Sequence, residues 1–372
     1  MKKQQQQLSK VMKYSVGVDA SSEDVKLCCS TIDEKQYVKI KSSTKFNNTL
    51  SGFENAEQWI QRHHRDKQTP LVITIEATGT YYENFALYFH NKGYHVSVVL
   101  ASHARQYMKS SGIKTKNDKI DAWGLSKMGA ERYYESWQPI PEELYCLRSL
   151  TRKRKQLNDI RTCTINQSHA HSHCMYETGQ VTDVNITLIE QLDEHIKAID
   201  KAIDEILDQQ EEIKTKIELI LKNLRGVGKL TMVSLLAETG CFELFESIGQ
   251  LISYTGYDVI EDQSGKHIGK TKISKKGNSY IRYALYMPSL NVVRWTKGPF
   301  SNLYERVFER TRIKKKANVA VQRKLLIILY TLWKKEEAFD PKYQMTIGEE
   351  ELKPSFGKKE KINNDSEQKK RA

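Results

Sequence analysis

No apolar run in this 372-residue chain approaches 18 residues, so the sequence contains nothing long enough to read as a membrane span. Its opening residues, Lys2, Lys3 and Gln4 to Gln7, lack the apolar centre of a secretory signal, and a cytoplasmic protein is expected. The six cysteines, Cys28, Cys29, Cys146, Cys163, Cys174 and Cys241, include no Cys-x-x-Cys pair. That removes the common zinc and redox signatures and leaves reduced thiols, mostly buried. Nucleotide hydrolysis by a P-loop is also excluded. Gly226-Val227-Gly228-Lys229-Leu230 has glycines and a lysine but no Ser or Thr after the lysine. His169, His171, His173 and Cys174 invite a metal reading, but His171 leaves the face that His169 and His173 share, and no further ligand pair follows at zinc spacing. No metal is assigned there.

What the chain does have is charge concentrated in one place. Lys and Arg number 59 against 46 Asp and Glu, a net +13. Between Gly265 and Lys324 there are 16 Lys and Arg against Glu305 and Glu309, a local +14, so this segment holds the whole excess. Basicity concentrated in an otherwise balanced chain points to a bound polyanion, nucleic acid first.

The first 140 residues read as a mixed α/β sheet. Tyr14 to Asp19 forms a strand, Val25 to Ile32 and Tyr37 to Ser42 follow as antiparallel partners, and residues 51–65 suit a helix. Leu71 to Ile75 is a buried strand ending in Glu76; a helix from Tyr81 to Asn91 and a strand from His95 to Leu100 complete the pattern. Asp19 and Glu76 then end two apolar strands, side by side if the pair is parallel. Downstream, Lys114 to Trp123 carries Asp118 and Asp121, which share a face at helical spacing. A solvated face of mixed charge explains that pair alone. Four carboxylates together repel, and two Mg²⁺ ions about 3.5–4 Å apart would satisfy them and flank a scissile phosphate.

From Glu142 to about Lys222 the composition is helical. Ile189, Leu192, Ile196, Ile199, Ile203, Ile206, Gln210, Ile213, Ile217 and Ile220 recur at spacings of three and four. That is a coiled-coil seam, and one helix from Val184 to Lys222 would run for about 58 Å. Residues 177–218 hold 12 acids against 4 Lys, so this arm should avoid DNA and meet protein. Self-association is the expectation, with a hairpin folding back on the Arg148–Arg161 helix as the alternative.

Beyond it, Gly226 and Gly228 in a tight turn before Lys229 suit a helix-hairpin-helix that grips phosphate, or equally plain helix packing. Lys266, Lys270, Lys272, Lys275 and Lys276 surround a turn at Ser264-Gly265, with Arg282 following. Arg310, Arg312, Lys314, Lys315 and Lys316 lie in an amphipathic helix pair at residues 300–335. These are the candidate nucleic-acid contacts. Residues 353–372 read as a disordered basic tail.

Gly17-Val18-Asp19, Glu76-Ala77-Thr78-Gly79 and Lys116-Asn117-Asp118-Lys119-Ile120-Asp121-Ala122 occur in that order. Gly226-x-Gly228, Glu238-x-Gly240, Phe245, Tyr254-x-Gly256, Ser264-Gly265 and Gly277-Asn278 with Arg282 follow. Across residues 14–335 the chain resembles bacterial insertion-sequence transposases with an Asp-Glu-Asp-Asp set and a catalytic serine (the IS one-ten and IS eleven-eleven type, with Piv-type DNA invertases as relatives). The resemblance implies a RuvC-like, RNase H-type domain at 14–140 after a polar segment at 1–13. A coiled-coil arm at 141–222, a mainly α transposase domain at 223–335 and a polar tail at 336–372 follow. It implies that Asp19, Glu76, Asp118 and Asp121 bind Mg²⁺ and that Ser264 is the nucleophile, forming a phosphoserine link. It further implies double-stranded DNA (element ends and target), a structured guide RNA of the bridge type and a dimer or tetramer as partners, acting at the nucleoid. Asn117 replaces a usual Thr, Arg225 a usual Pro, and Asp258 a Pro that would stiffen the loop. A site-specific invertase shares every motif. A Holliday-junction nuclease would use the acids without Ser264, and a non-catalytic nucleic-acid-binding protein would need neither.

Overall fold

Three consecutive strands and two further ones that alternate with helices build a five-stranded sheet in the first half of the chain. The computed structural model describes residues 9–112, 118–176, 178–261, 263–264, 267–269, 272–296 and 298–340. Asp118, Lys119, Ser264, His267 and Ile268 are described by their backbone alone. Lys114 to Asn117, Gly265, Lys266, Lys270 and the tail from residue 341 lie outside the described residues. The chain divides into two units, Met1–Pro139 and Ile140–Ala372.

In the first unit β1 (Val11–Ala20), β2 (Asp24–Asp33) and β3 (Val38–Asn47) form an antiparallel meander. Helix α1 (Leu50–His63) follows, opened by Thr49, whose hydroxyl accepts from the Gly52 amide. Then come β4 (Leu71–Ala77), α2 (Glu83–Asn91), β5 (His95–Leu100), α3 (Ala101–Ser110) and α4 (Asp118–Glu131). The strand order is β3-β2-β1-β4-β5, with β4 parallel to both β1 and β5. The mixed α/β sheet read from the sequence is therefore present.

The two sheet faces are chemically different. On one, Val16, Val18, Ile73 and Ile75 pack against Phe53 and Trp59 of α1 and Phe85 and Phe89 of α2. On the other, under α4, the strands present Ser15, Gly17 and Thr74. A β-carbon on Gly17 would lie 2.1 Å from the Ser126 amide nitrogen and 2.2 Å from the Ala122 carbonyl oxygen. One on Gly129 would lie 2.1 Å from the Thr74 hydroxyl oxygen. Helix α4 thus lies nearly backbone to backbone on β1, and hydroxyls replace bulky side chains between them. The Ser126 hydroxyl donates to the Ser15 carbonyl at 3.1 Å and pairs with the Ser30 hydroxyl at 2.6 Å.

The second unit is mainly helical. Its elements are α5 (Glu142–His171), α6 (Gly179–Gln209), α7 (Glu211–Leu221), α8 (Lys229–Thr239) and α9 (Ile248–Thr255), then four two-residue strands. These are β6 (Val259–Ile260), β7 (Gln263–Ser264), β8 (His267–Ile268) and β9 (Lys272–Ile273), followed by α10 (Ser279–Trp295), α11 (Pro299–Thr311) and α12 (Lys314–Lys335). One core joins Ile217 and Ile220 of α7, Leu235 and Leu236 of α8 and Leu325 and Leu329 of α12. Among the described residues no helix is long and apolar enough to cross a membrane.

The single helix expected over Val184 to Lys222 is broken. Gln210 has φ −113° and ψ 64°, outside the helical region, and it separates α6 from α7. On both sides of the break the seam meets the same core: Ile203 and Leu207 of α6 and Ile217 and Ile220 of α7 join the core of the helical unit, while Leu192 and Ile196, earlier on α6, cluster with Leu157 of α5. Helices α5 and α6 pair antiparallel within the chain, through Arg154–Asp200 and Arg161–Asp193, each joined by two hydrogen bonds.

Gly17→Ala should cost about 3 kcal/mol of stability, because its β-carbon meets backbone that cannot step aside. Gly179→Ala, in open space at the start of α6, should be neutral or slightly stabilising. Urea denaturation of the two variants beside the parent measures the contrast, and equal midpoints would contradict the close α4 packing.

Candidate active site

The parallel β1–β4 register pairs Val18 with Ile75, and one further residue sets Asp19 against Glu76 at adjacent strand ends. Alternation along a strand places both on the α4 side, with Gly17 and Thr74. Helix α4 runs antiparallel to β1. The Lys13 ammonium, at the start of the strand, donates to the Arg132 carbonyl just past the helix at 2.9 Å. Burial holds the Lys13 pKa below the usual lysine value. Gly129 lies over Ser15, and Ala122 to Ser126 lie over Gly17. Two strand residues advance ~6.6 Å, which an α-helix covers in about 4.4 residues. The level of Asp19 is therefore about that of residue 120, between Asp118 and Asp121 in the first turn of α4.

The fold thus brings the Asp19, Glu76 and Asp121 positions to one end of the sheet, and the Asp118 backbone with them. Glu76 accepts from the Thr78 hydroxyl at 2.7 Å, which orients one carboxylate oxygen. Four carboxylates offer hard oxygen donors, which is what Mg²⁺ selects. Among the described residues no three His, Cys, Asp or Glu side chains are close enough to hold one ion. The Asp118 carboxylate, a member of the expected set, is outside that description.

In the helical unit, Ser264 lies on β7, paired to His267 of β8. Below this hairpin β6 pairs with β9, Val259 to Ile273 and Ile260 to Lys272. What the sequence offered as a flexible turn is a hairpin on a hairpin. Its base is closed by several contacts. The Lys275 amide donates to the Gly256 carbonyl and the Ser274 amide to the Asp258 carbonyl. The Ser274 hydroxyl also donates to the Asp258 carboxylate, so the residue standing where a Pro is usual supplies a tie instead of a ring. A β-carbon on Gly277 would lie 2.4 Å from the Tyr254 carbonyl oxygen, so this crossing needs glycine.

Behind the hairpin base is a buried carboxylate. Glu238 is 2% exposed. Arg152 of α5 donates to it from Nε at 2.6 Å and from Nη2 at 2.7 Å, and the Asn278 amide donates to the same carboxylate at 2.7 Å. The Asn278 side-chain oxygen caps α10, accepting from the Tyr280 and Ile281 amides. The Tyr254 hydroxyl donates to the Glu238 carbonyl at 3.1 Å. Sequence reading placed Arg152 on a helix that folds back on the arm or touches nucleic acid and Glu238 in a motif of the family resemblance, and did not pair the two. The available signal was an acid inside the apolar stretch Leu230 to Thr239, a position that demands a partner.

The candidate nucleic-acid residues fall into groups. Arg282 turns inward: one guanidinium nitrogen donates to the carbonyls of Thr255, Gly277 and Asn278, bracing the hairpin base. Gly226 has φ +97°, and a β-carbon there would lie 2.9 Å from the Asn291 backbone, so the α7–α8 turn needs this glycine to pack on α10. Gly228 faces open space, and Lys229 pairs with Asp204 at 2.5 Å. Lys272, Lys275 and Lys276 are exposed around the hairpin base. Arg310, Arg312, Lys314, Lys315 and Lys316 are exposed at the corner between α11 and α12. The three lysines sit in the first turn of α12, at the positive end of its dipole, and that turn holds no acid. That arrangement is unfavourable alone and is relieved by an anion.

Residues 16–174 match a family described as "Transposase", and residues 218–305 match the "Transposase IS116/IS110/IS902 family". A pilin gene-inverting protein of Moraxella bovis is 32% identical over 296 residues, 79% of this chain and 89% of that protein. The chain belongs to this transposase family. A pilin gene-inverting protein of Moraxella lacunata is 30% identical to the transposase over 88% of this chain and 98% of its own length. Among solved structures, the fowlpox virus Holliday junction resolvase is 14% identical, covering 32% of the transposase and 97% of the resolvase, with a TM-score of 0.24. That likeness decides nothing about fold or chemistry.

Arg152→Ala in the transposase leaves Glu238 buried without its cation and should cost about 3 kcal/mol. Thermal unfolding followed by circular dichroism measures this, and an unchanged melting temperature would show that the pair contributes little.

Proposed function

We propose that the chain cuts and rejoins DNA strands, using Asp19, Glu76, Asp118 and Asp121 in a RuvC-like first unit and Ser264 in the second. The observation that carries this reading is the level of the first turn of α4, opposite the ends of β1 and β4. Mg²⁺ would be held by the four carboxylates, and bound there it would stabilise the attacking and leaving oxygens of a phosphoryl transfer. The Ser264 hydroxyl attacks phosphorus, forming an oxygen–phosphorus bond as the sugar oxygen of the cut strand leaves. Reversal of that attack by a new strand end frees the serine and completes the exchange. The lysines around the hairpin and the α11–α12 corner hold backbone phosphates. A structured guide RNA supplies sequence recognition in this reading, which agrees with strong basicity and no base-reading helix among the expectations.

A second reading has its own support. Both relatives are named for inverting a pilin gene, which favours site-specific inversion. A substrate with two sites in inverted orientation distinguishes it, by giving inverted product without an excised element.

Self-association is proposed through the α5–α6 pair, which leaves Val184 65% and Ile186 48% exposed. Val184→Asp should lower the mass measured by light scattering while the melting temperature holds; an unchanged mass would remove the pair from assembly.

The covalent step is tested with purified protein, Mg²⁺, labelled element-end DNA and co-transcribed flanking RNA on a denaturing gel. A protein–DNA adduct is expected, absent in Ser264→Ala, with strand transfer down on the order of a hundredfold or more in Asp121→Asn. Cleavage without adduct, equal in Ser264→Ala, would instead mean hydrolysis by the acids, as in a junction nuclease.

A further inference from the structure

Helices α5, α8 and α10 line a cavity of about 230 Å³ in the second unit, which shares Arg152 and Glu238 with the clamp behind the Ser264 hairpin base. It is smaller than the roughly 300–1,000 Å³ of a drug-sized ligand site and has room for one planar ring system. Tyr280, Tyr283, Tyr286 and Met287 of α10 form one wall, and Thr231 and Ser234 of α8 bring hydroxyls to another. Tyr283, Tyr286 and Met287 are 49%, 50% and 58% exposed, so half of each side chain remains open to a partner.

The charges of the cavity decide what kind of group it suits. Arg152, Arg154 and Lys155 reach it from α5, and each is already paired, with Glu238, Asp200 and Asp159 respectively. A free phosphate would compete with three carboxylates for those cations. What remains for a ligand is the exposed half of Tyr283 and of Tyr286 and the Thr231 hydroxyl, since the Ser234 hydroxyl already donates to the Leu230 carbonyl at 2.8 Å. The cations instead lie against the rings, the Arg152 guanidinium 4.5 Å from the Tyr280 centroid and the Lys155 ammonium 4.6 Å from that of Tyr283. They hold those side chains in place. Ring faces held firm beside a hydroxyl are the chemistry that takes up an unstacked base, and a strand being exchanged must unpair its bases.

We propose that this cavity receives an unpaired nucleobase of single-stranded DNA, stacked on Tyr283 and Tyr286. The proposal rests on the DNA strand-exchange reading above. Its test measures binding without chemistry, so that the two can fail separately.

The full chain is titrated against a fluorescein-labelled single-stranded oligodeoxynucleotide, an abasic strand of equal length, an RNA of the same sequence and a duplex. The base-containing DNA strand should bind about five- to a hundredfold more weakly to Tyr283→Ala or Tyr286→Ala than to the parent. Tyr283→Phe, which keeps the ring, should restore binding. The abasic strand should bind parent and Ala variants alike, and the salt dependence should stay the same because no phosphate contact is removed. Duplex binding unchanged across the set would show that each variant is folded. Equal affinity of parent and Ala variants for the base-containing strand would overturn the proposal, as would tyrosine-dependent binding of RNA alone. Loss of duplex binding in the parent itself would instead count against the strand-exchange reading.

Discussion

The acidic end of the first unit depends on how closely one helix approaches one strand. Helix α4 can lie on β1 only because position 17 has no β-carbon, position 129 has none either, and Ser15 and Thr74 are small. A helix normally packs about 10 Å from a sheet across a layer of apolar side chains. Removing that layer fixes the sliding register of the helix, since each glycine must find its own notch. The position of the first turn of α4 is therefore a consequence of packing several residues away. The arrangement has a cost: the Ser15 and Thr74 hydroxyl oxygens are buried without a hydrogen-bond partner. A polar interface left partly unsatisfied, where larger apolar residues would bury more area, is the pattern expected when position matters more than stability.

The second unit solves a related problem with charge. A two-tier hairpin made of two-residue strands has too few ladder hydrogen bonds to hold itself. Its foot is clamped from behind by Arg282 on three carbonyls and by Asn278, which is itself held by Glu238. Glu238 takes its charge balance from Arg152 on a helix far earlier in the chain. A buried ion pair is a weak device for stability but a good one for orientation, because its geometry is satisfied in only one arrangement. In both units, then, the stretch that carries the candidate chemistry is positioned by contacts made elsewhere.

The same contrast explains what could be read from the sequence. The five strands and the helices between them were legible because β-branched runs such as Leu71 to Ile75 alternate with helical periodicity, and both signals are local. The adjacency of Asp19 and Glu76 followed from strand ends alone. The break at Gln210 was not legible, since the apolar spacing runs through it unbroken and the residues on both sides of it join one core. The hairpin around Ser264 was missed because strands of two residues have no periodicity to detect. Arg282 had the composition and neighbours of a phosphate contact. Only its three carbonyl partners show it facing inward. The level of Asp121 against Asp19 depended on Gly17 and Gly129 meeting specific backbone atoms, a three-dimensional fact with no linear signature.

The lysines in the first turn of α12 have a consequence for the life of the molecule. Cations massed on the positive end of a helix raise the energy of the unliganded chain, and an anion held there lowers it by mass action. In the proposed reading that anion is a nucleic-acid phosphate, so folded population and occupancy would rise together, and unoccupied copies would open more often and meet proteases sooner. Turnover would then be biased against the idle molecules.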